Sequence, residues 1–205
     1  MTVGELAAMF RAERELDLEL RVVPVENWQR DMYFDATGLR WINPSPNMRS
    51  LAQALLYPGI GLLETTNLSV GRGTDTPFEV FGAPWLDGDG FARQLKRLGL
   101  PGVAFVPVRF TPDASKFKGE ACGGVNVLVV DRAAFEPVRT GLAIARQLQL
   151  DYPGQWEIDA YARLLVSERT LTLLREGAGM DSIEASWQKD LSSFMSRRSA
   201  YLLYD

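Results

Sequence analysis

Seven polar side chains between residues 43 and 85, Glu64 among them, are of types that bind polar ligands or act as acids and bases. They lie among glycines and prolines, in a stretch without lysine and without one periodic pattern along its whole length. Loops braced by a scaffold are where proteins commonly hold such groups in fixed directions. An irregular structural loop whose polar groups satisfy its own backbone is the alternative interpretation. The candidate ligand contacts are Asn47, Thr66, Asn67, Arg72, Asp75 and Glu79.

Two of these residues could do acid–base chemistry. Asp75 and Glu79 are four residues apart and would share one face of a helical turn, although Pro77 makes the local geometry uncertain. A pair of carboxylates is the usual apparatus of glycoside hydrolysis, so both are weak catalytic candidates. Arg72 could pair with Asp75 as a structural bridge, contact a ligand, or do both, because an arginine oriented by a carboxylate still has donors to offer.

Composition removes several classes of chemistry. The chain has 205 residues, no histidine and one cysteine. Ser-His-Asp triads and zinc sites built on histidine are therefore excluded, and an internal disulfide is impossible. We expect Cys122 to be a buried apolar residue, because free cysteines are usually buried. No metal site and no cofactor are predicted.

Charge and hydropathy exclude further classes of partner. The net charge is −4, and the basic residues form no run, so nucleic-acid binding is not expected. No apolar run approaches the ~20 residues that span a bilayer, and no signal peptide is visible, so localisation stays unknown. The segment Gly71-Arg72-Gly73 lacks the third glycine and the Gly-Lys-Ser/Thr of nucleotide-binding loops. We expect its glycines to adopt unusual backbone angles that direct the arginine.

The periodicity predicts one α+β domain, with a mixed β-sheet covered by helices and a helix-rich C-terminal third. A capping box, Thr2-x-x-Glu5, begins the first helix, and Asn47, Asp89 and Pro137 mark later helix starts. Further helices are expected over 158–165 and 168–176 and in one final helix after Asp181. The strands expected in one sheet are Leu18–Val23, Gly59–Glu64, Val103–Phe110 and Val125–Val130, with Pro107 indicating an irregularity or an edge position.

The central stretch resembles the signature of the NamZ/YbbC-like family of peptidoglycan exo-β-N-acetylmuramidases. The resemblance runs from Pro44 to Gly59 and from Thr66 to Trp85, and it continues in residues 110–125 and in Tyr201–Tyr204. It implies release of terminal N-acetylmuramic acid from peptidoglycan. It also brings the segment containing Lys116, Lys118 and Glu120 into consideration, and Glu120 joins the candidate substrate-binding residues.

The resemblance also carries a departure, because members of that family are about twice this length and have a Rossmann-like N-terminal half. We therefore expect residues 1–205 to be the C-terminal, substrate-cleft domain, with the Rossmann-like domain as its partner. The glutamate usually assigned as catalytic belongs to that other half, so this chain alone is expected to be inactive. Members are often exported. The alternative function is a stand-alone, non-catalytic glycan-binding or interaction module.

Overall fold

The computed structural model describes residues 1–204. Its helices and its three-stranded sheet confirm the α+β class, and every element after residue 136 is helical, as expected. The backbone forms two compact units. The smaller unit contains residues 1–40 and 184–204 of the described chain, and the larger one contains residues 41–183.

The sheet lies in the larger unit. Its strands are β1 (Val80–Ala83), β2 (Val103–Phe110) and β3 (Cys122–Val129). Strand β3 is central, and both neighbours pair with it antiparallel, so the described sheet is not the mixed one expected. The loop after β2 reverses the chain directly into β3, which produces an antiparallel pair. Strand β2 is an edge strand, which accommodates Pro107 as predicted.

Helices surround this sheet within the larger unit. They are α2 (Leu51–Ile60), α3 (Gly88–Arg97), α4 (Pro137–Asp151), α5 (Ile158–Leu165) and α6 (Glu168–Arg175). Helix α4 begins with proline in its first turn, and its apolar side chains, such as Ile144 and Leu148, are fully buried. The predicted helices over 158–165 and 168–176 agree with α5 and α6 to within one residue, and the start of α4 at Pro137 is also as predicted.

Helices α2 and α4 cross at two glycines. A Cβ built on Gly59 would overlap the carbonyl oxygen of Pro137, and a Cβ on Gly141 would overlap the backbone of Gly59. The two backbones therefore touch where no side chain fits between them. This close crossing fixes the 3-10 helix Gly61–Thr65, which continues directly from α2 into the polar loop.

The prediction of a strand over Gly59–Glu64 is wrong. Helix α2 continues through Pro58 to Ile60, and the 3-10 helix follows without a break. Short apolar runs cannot be assigned by periodicity alone, because a buried helix and a buried strand both read as apolar. Ile60 and Leu63 are both buried and lie three residues apart, the spacing of one helical face.

The smaller unit is organised by α1 (Val3–Glu13), with α8 (Gln188–Arg198) from the other end of the chain. The capping box at Thr2 is confirmed, and its Glu5 side chain does more than cap. The Glu5 carboxylate is fully buried, pairs with Arg30 at 2.6 Å and accepts a hydrogen bond from the backbone N–H of Leu203 at 2.8 Å. One carboxylate thus joins three separate parts of this unit.

The prediction of a strand over Leu18–Val23 is wrong as an assignment of secondary structure. The segment is not paired with any strand of residues 1–204. The alternation of apolar and charged residues has another cause. Leu20 and Val22 pack on α1, whereas the side chain between them does not.

Three helix ends also differ from the sequence predictions. Ser50, not Asn47, caps α2, and Asp87, not Asp89, caps α3, each accepting a hydrogen bond from a backbone N–H three residues on. The single final helix is divided into α7 (Met180–Ala185) and α8, with a turn before Gln188. Caps compete locally among neighbouring Ser, Asn and Asp residues, so the sequence offered several adjacent choices.

Candidate functional site

The polar loop between the 3-10 helix and β1 is closed by backbone hydrogen bonds. Ser69 and Gly82 exchange two, at 2.8 and 2.9 Å, and the Phe78 N–H donates to the carbonyl of Val70 at 2.7 Å. Residues 71–77 consequently form a compact loop that projects from the edge of the sheet. Its side chains are fixed by a rigid base, which is the arrangement expected for a binding loop.

Two glycines shape the top of this loop, as predicted. Gly71 and Gly73 both have φ of +80°, a conformation that residues with a Cβ rarely adopt. The carbonyls of Val80 and Thr76 surround the position that a Cβ of Gly71 would occupy, and the backbone of Ala114 surrounds that of Gly73. The residue between them, Arg72, is thereby directed towards the 3-10 helix.

Arg72 pairs with Glu64 and not with Asp75, so the bridge to Asp75 that the sequence left open is not formed. The Nε of Arg72 contacts Oε1 of Glu64, and Nη2 donates to Oε2 at 3.1 Å. The guanidinium also lies over the ring of Phe78, 5.2 Å from its centroid. Both charged side chains are close to 30% exposed. The pair is therefore oriented by protein contacts while one side stays open to solvent.

Lys116 reaches the same place from the loop between β2 and β3. Its ammonium donates to the backbone carbonyls of Glu64, at 3.2 Å, and of Thr66. Burial lowers the pKa of Lys116, and the nearby carboxylates of Glu157 and Glu64 partly oppose that effect. We call Glu64, Arg72, Lys116 and Glu157 the charged cluster. It joins four chain segments at one point of the larger unit.

Asn67 holds a neighbouring loop and does not contact Arg72 by a hydrogen bond. Its side-chain amide donates to the carbonyl of Gln155 at 2.7 Å, and its carbonyl accepts from the N–H of Glu157 at 2.9 Å. This two-point contact positions Trp156, which is 3% exposed and packs against Tyr161. In this structure the Asn67 side chain therefore braces the loop at residues 155–157.

Several polar groups of the loop satisfy the backbone, as the structural alternative predicted. Thr66 is 1% exposed, and its hydroxyl donates to the carbonyl of Leu63 at 2.8 Å. The hydroxyl of Thr74 donates to the carbonyl of Gly71, and that of Ser69 accepts from the N–H of Gly71. Thr66 is therefore too deeply buried in this structure to face a ligand.

Asp75 and Glu79 have different surroundings. The Asp75 side chain is fully exposed, and its nearest cation is Arg49, with Nη1 at 3.7 Å. The Glu79 carboxylate accepts a hydrogen bond from the Gln53 amide at 3.0 Å, and Gln53 in turn accepts from the N–H of Arg49 at 2.6 Å. Glu79 lines a small cavity of about 150 Å³ between α2 and β3. The described contacts do not join the two carboxylates as a pair.

The remaining candidates lie at the edges of this region. Asn47 is half-buried in a turn, where its N–H donates to the Ser45 hydroxyl at 3.4 Å. Glu120 is exposed just before β3. Cys122 is 1% exposed, which confirms the prediction of a buried thiol, and burial together with the Glu120 carboxylate raises its pKa to about 11. A thiol with so high a pKa is a poor nucleophile at neutral pH.

The aromatic side chains near the loop divide into core and surface. Phe78 and Phe81 are buried at 1% and 0% exposure, so they cannot stack on a ligand. Tyr57 packs edge-on against Phe78 and is 45% exposed, and Trp85 is half-buried beside Tyr152. Thr66 and Phe78 are both buried, so neither can belong to an outward-facing binding surface around the loop.

The sequence interpretation missed one well-formed cavity of the larger unit. It has a volume of about 420 Å³ and lies beside the beginning of α3, with Asp87, Asp89 and Arg109 in its lining. Glu64 and Glu157 were also not among the candidates. Glu157 has no local signal, because only folding brings it to Lys116, whereas the spacing of Glu64 from Arg72 was visible in the sequence.

Two further properties concern membrane-spanning helices and metal-binding groups. Among residues 1–204, no helix is both long enough and apolar enough to cross a membrane. In the same part of the chain, no group of three His, Cys, Asp or Glu side chains is arranged to hold a metal ion.

Comparison with protein families gives two matches along the chain. The family described as "Exo-beta-N-acetylmuramidase NamZ, C-terminal" matches residues 55–204, and the one described as "Exo-beta-N-acetylmuramidase NamZ, N-terminal" matches residues 1–52. The chain is 40% identical over 207 residues to the peptidoglycan β-N-acetylmuramidase NamZ of Bacillus subtilis (strain 168). That match covers 100% of this chain and 50% of the relative, so the chain spans about half of its length.

Two solved structures are also similar. Both are DUF1343 family proteins of Bacteroides fragilis NCTC 9343. The first has a TM-score of 0.79 and 30% identity, covering 98% of this chain and 56% of that protein. The second has a TM-score of 0.76 and 26% identity, covering 100% of this chain and 56% of that protein. The likeness extends through the smaller and the larger unit alike.

Proposed function

The chain belongs to the NamZ exo-β-N-acetylmuramidase family, and we propose that it is the C-terminal half of a glycosidase that releases terminal N-acetylmuramic acid from peptidoglycan fragments. The observation that supports this proposal most directly is the 40% identity to the Bacillus subtilis peptidoglycan β-N-acetylmuramidase over the whole chain. The chain would supply substrate-binding side chains to a cleft shared with a Rossmann-like N-terminal half of the same protein.

The charged cluster supports a ligand with a carboxylate. N-acetylmuramic acid differs from N-acetylglucosamine by a lactyl ether that ends in a carboxylate. Arg72 uses Nε and Nη2 for Glu64, and its Nη1 has no hydrogen-bond partner among residues 1–204. A guanidinium anchored on one edge can bind a carboxylate with its other donors, because its planar geometry is kept.

The ion pair with Glu64 restricts the conformations of the Arg72 side chain and so keeps its guanidinium in place. Gly71 and Gly73 set the direction of the backbone, and Phe78 supports the flat face of Arg72. Preorganised donors lose little side-chain entropy on binding, so their contribution to affinity is larger than that of a mobile lysine. In this proposal Arg72 orients the substrate and does not transfer protons.

We propose that the acid–base step depends on a glutamate of the other half, as the family resemblance implies. Glycosidases act through two carboxyl groups separated by a defined distance across the scissile bond. Asp75 projects into solvent, and Glu79 is engaged by Gln53, so neither is placed here as one of a facing pair. Both residues therefore remain weak catalytic candidates, and the hydrolytic activity of this chain alone tests their role.

Binding to the isolated chain tests the role of Arg72. The experiment is a titration of the 205-residue chain with N-acetylmuramic acid and, as the matched ligand without the lactyl carboxylate, with N-acetylglucosamine. We expect a preference for the muramic acid that Arg72→Lys reduces. The control variant is Arg93→Lys, a comparable substitution at an exposed position of α3. Equal affinity for the two sugars would remove the lactyl carboxylate from the proposal.

Hydrolysis tests the role of the whole chain. A chromogenic glycoside of N-acetylmuramic acid is incubated with this chain, with the half of the Bacillus subtilis relative that lies outside the match, and with both. We expect no turnover by this chain alone and turnover with both halves. Robust turnover by this chain alone would overturn the shared cleft and make Asp75 and Glu79 catalytic candidates. Binding without turnover in any combination would favour the glycan-binding module.

A further inference from the structure

Residues 18–25 of the smaller unit show the side-chain alternation of a strand but have no strand partner among residues 1–204. Between Glu19 and Val23, no backbone N–H or carbonyl forms a hydrogen bond with any residue of the described chain. Extended backbone groups left open in this way are a template for pairing with another strand. The backbone of the segment forms hydrogen bonds only at its ends. There the Leu18 N–H donates to the Leu16 carbonyl and the Val25 N–H donates to the Tyr204 hydroxyl.

One face of this segment is already covered. Leu20 and Val22 point towards α1, and the Val22 side chain lies so close to Gly4 that a Cβ there would overlap it. An open groove between α1 and this segment, with a volume of about 540 Å³, is bordered by Ala8 and Ala12 of α1. A helix lying on one face of an extended segment is the arrangement of a strand in an α/β layer.

The other face is exposed and carries both charged and apolar side chains, because Glu19 and Arg21 alternate with Leu20 and Val22 as the two valines that follow do. Val23 and Val25, on the side away from Leu20 and Val22, are 77% and 62% exposed. On α1, Val3 and Phe10 are seven residues apart, share one helical face, and are 84% and 49% exposed. Exposed apolar side chains on neighbouring elements are typical of a surface that contacts another protein domain.

We infer that residues 18–25 form an open strand that pairs with a β-strand of the N-terminal half found in the family's longer proteins, with the exposed face of α1 packing beside it. The inference deepens the proposed two-part organisation and rests on it. Residues 1–52 match the family's N-terminal description, although the chain spans only half of the Bacillus subtilis relative. We therefore assign the rest of the N-terminal half as the partner that covers residues 18–25.

Amide hydrogen exchange tests this pairing without reference to activity. The full 205-residue chain is measured alone and mixed with the half of the Bacillus subtilis relative that lies outside the match. Alone, the amides of residues 19–23 should exchange almost as fast as in an unstructured chain, because they have no partner. On mixing, we expect at least some of them to slow by about 100-fold or more, since a paired strand exchanges only when it opens.

Proline substitutions separate backbone pairing from side-chain packing. Alternate N–H groups of a strand point to opposite edges, so Arg21→Pro probes one edge and Leu20→Pro probes the other. The controls are Arg21→Ala and Leu20→Ala, which remove the same side chains but keep the N–H. At least one proline variant should lose association with the added half by tenfold or more relative to its alanine control.

Each outcome decides the inference. Absence of protection on mixing, or two proline variants that bind like their alanine controls, would overturn strand pairing. Protection that appears with this chain alone as its concentration rises, together with a dimeric mass, would assign a second copy as the occupant and overturn the N-terminal half. Protection on mixing without hydrolysis would support the docking surface and count against the proposed function, so the two failures are distinguishable.

Discussion

Arg72 and Glu64 form a two-point contact in which the Nε and Nη2 of the guanidinium face the two carboxylate oxygens, with Nη2 to Oε2 at 3.1 Å. The seven residues between them in sequence include the end of the 3-10 helix and the first glycine of the loop. The pair therefore ties the loop to the element that α2 and α4 hold in place. It also leaves one edge of the guanidinium available to a ligand.

The first prediction concerns Arg72→Lys. In a mixture of the two halves, kcat/KM on an N-acetylmuramic acid glycoside should fall about tenfold or more, the loss expected for a hydrogen bond to a charged group. The free energy of unfolding should change by less than about 1 kcal/mol, because the ion pair is partly exposed. Steady-state kinetics and urea unfolding of the variant measure both, with Arg93→Lys as control. An unchanged kcat/KM would remove Arg72 from the site.

The second prediction concerns the buried Glu5. The Arg30 side chain, with the backbone N–H groups of Leu203 and Thr2, holds the pKa of Glu5 at about 2 despite its burial. Because the pKa is depressed in the folded state, the stabilisation is complete above the ordinary carboxyl pKa and declines as pH falls towards 2. Glu5→Gln should lower the urea midpoint at pH 7, and its difference from the unsubstituted chain should shrink between about pH 4.5 and 2.

The control for that experiment is Glu19→Gln, at an exposed position of the same unit. It should leave the urea midpoint nearly unchanged at every pH. A destabilisation by Glu5→Gln that is constant from pH 7 to pH 3 would show that the Glu5 charge is not its source.

The third prediction concerns the crossing of α2 and α4. Gly59→Ala should destabilise the larger unit by about 1–3 kcal/mol, the usual cost of overpacking, since its Cβ would meet the backbone of Pro137 and Gly141. Thermal or urea unfolding measures the loss. Gly179→Ala is the control, because its Cβ would meet no atom within 4 Å and its backbone is unstrained. Equal stability of the two variants would contradict the close crossing.

The fourth prediction concerns Cys122. Its thiol is buried and its pKa is raised to about 11 by burial and the Glu120 carboxylate. A thiol reagent such as dithionitrobenzoate should therefore label the folded chain slowly at pH 8 and rapidly in urea, where the pKa returns to its ordinary range. The rate of thionitrobenzoate release checks this. Rapid labelling of the folded chain would contradict the burial of the thiol.

Local signals in the sequence were sufficient for much of the helical framework. The capping box at Thr2, the proline that begins α4 and the strand Val103–Phe110 were all predicted with nearly the observed limits. Each depends on interactions within a few residues, such as a cap, a restricted φ or a β-branched run. The extended segment at Leu18 was also recognised, but its lack of a strand partner could not be, since pairing is not local.

The candidate site shows the same division. The types of residue in the loop, its glycine angles and the direction of Arg72 between Gly71 and Gly73 could be argued from sequence. The partner of Arg72 could not, because Asp75 and Glu64 are both near it in sequence and only the fold of the 3-10 helix selects Glu64. The same reason applies to Asn67, whose partners are about ninety residues away.

Sequence by itself determined the residue types, the limits of several helices and the family to which the chain belongs. Tertiary structure alone decided which polar side chains satisfy the protein and which stay accessible: it buried Thr66 and Phe78, assigned Glu64 to Arg72, and brought Lys116 to the carbonyls of the 3-10 helix. The physical reason is range. Capping and periodicity act over three or four residues, whereas burial and ion pairing depend on segments that only the folded chain brings together.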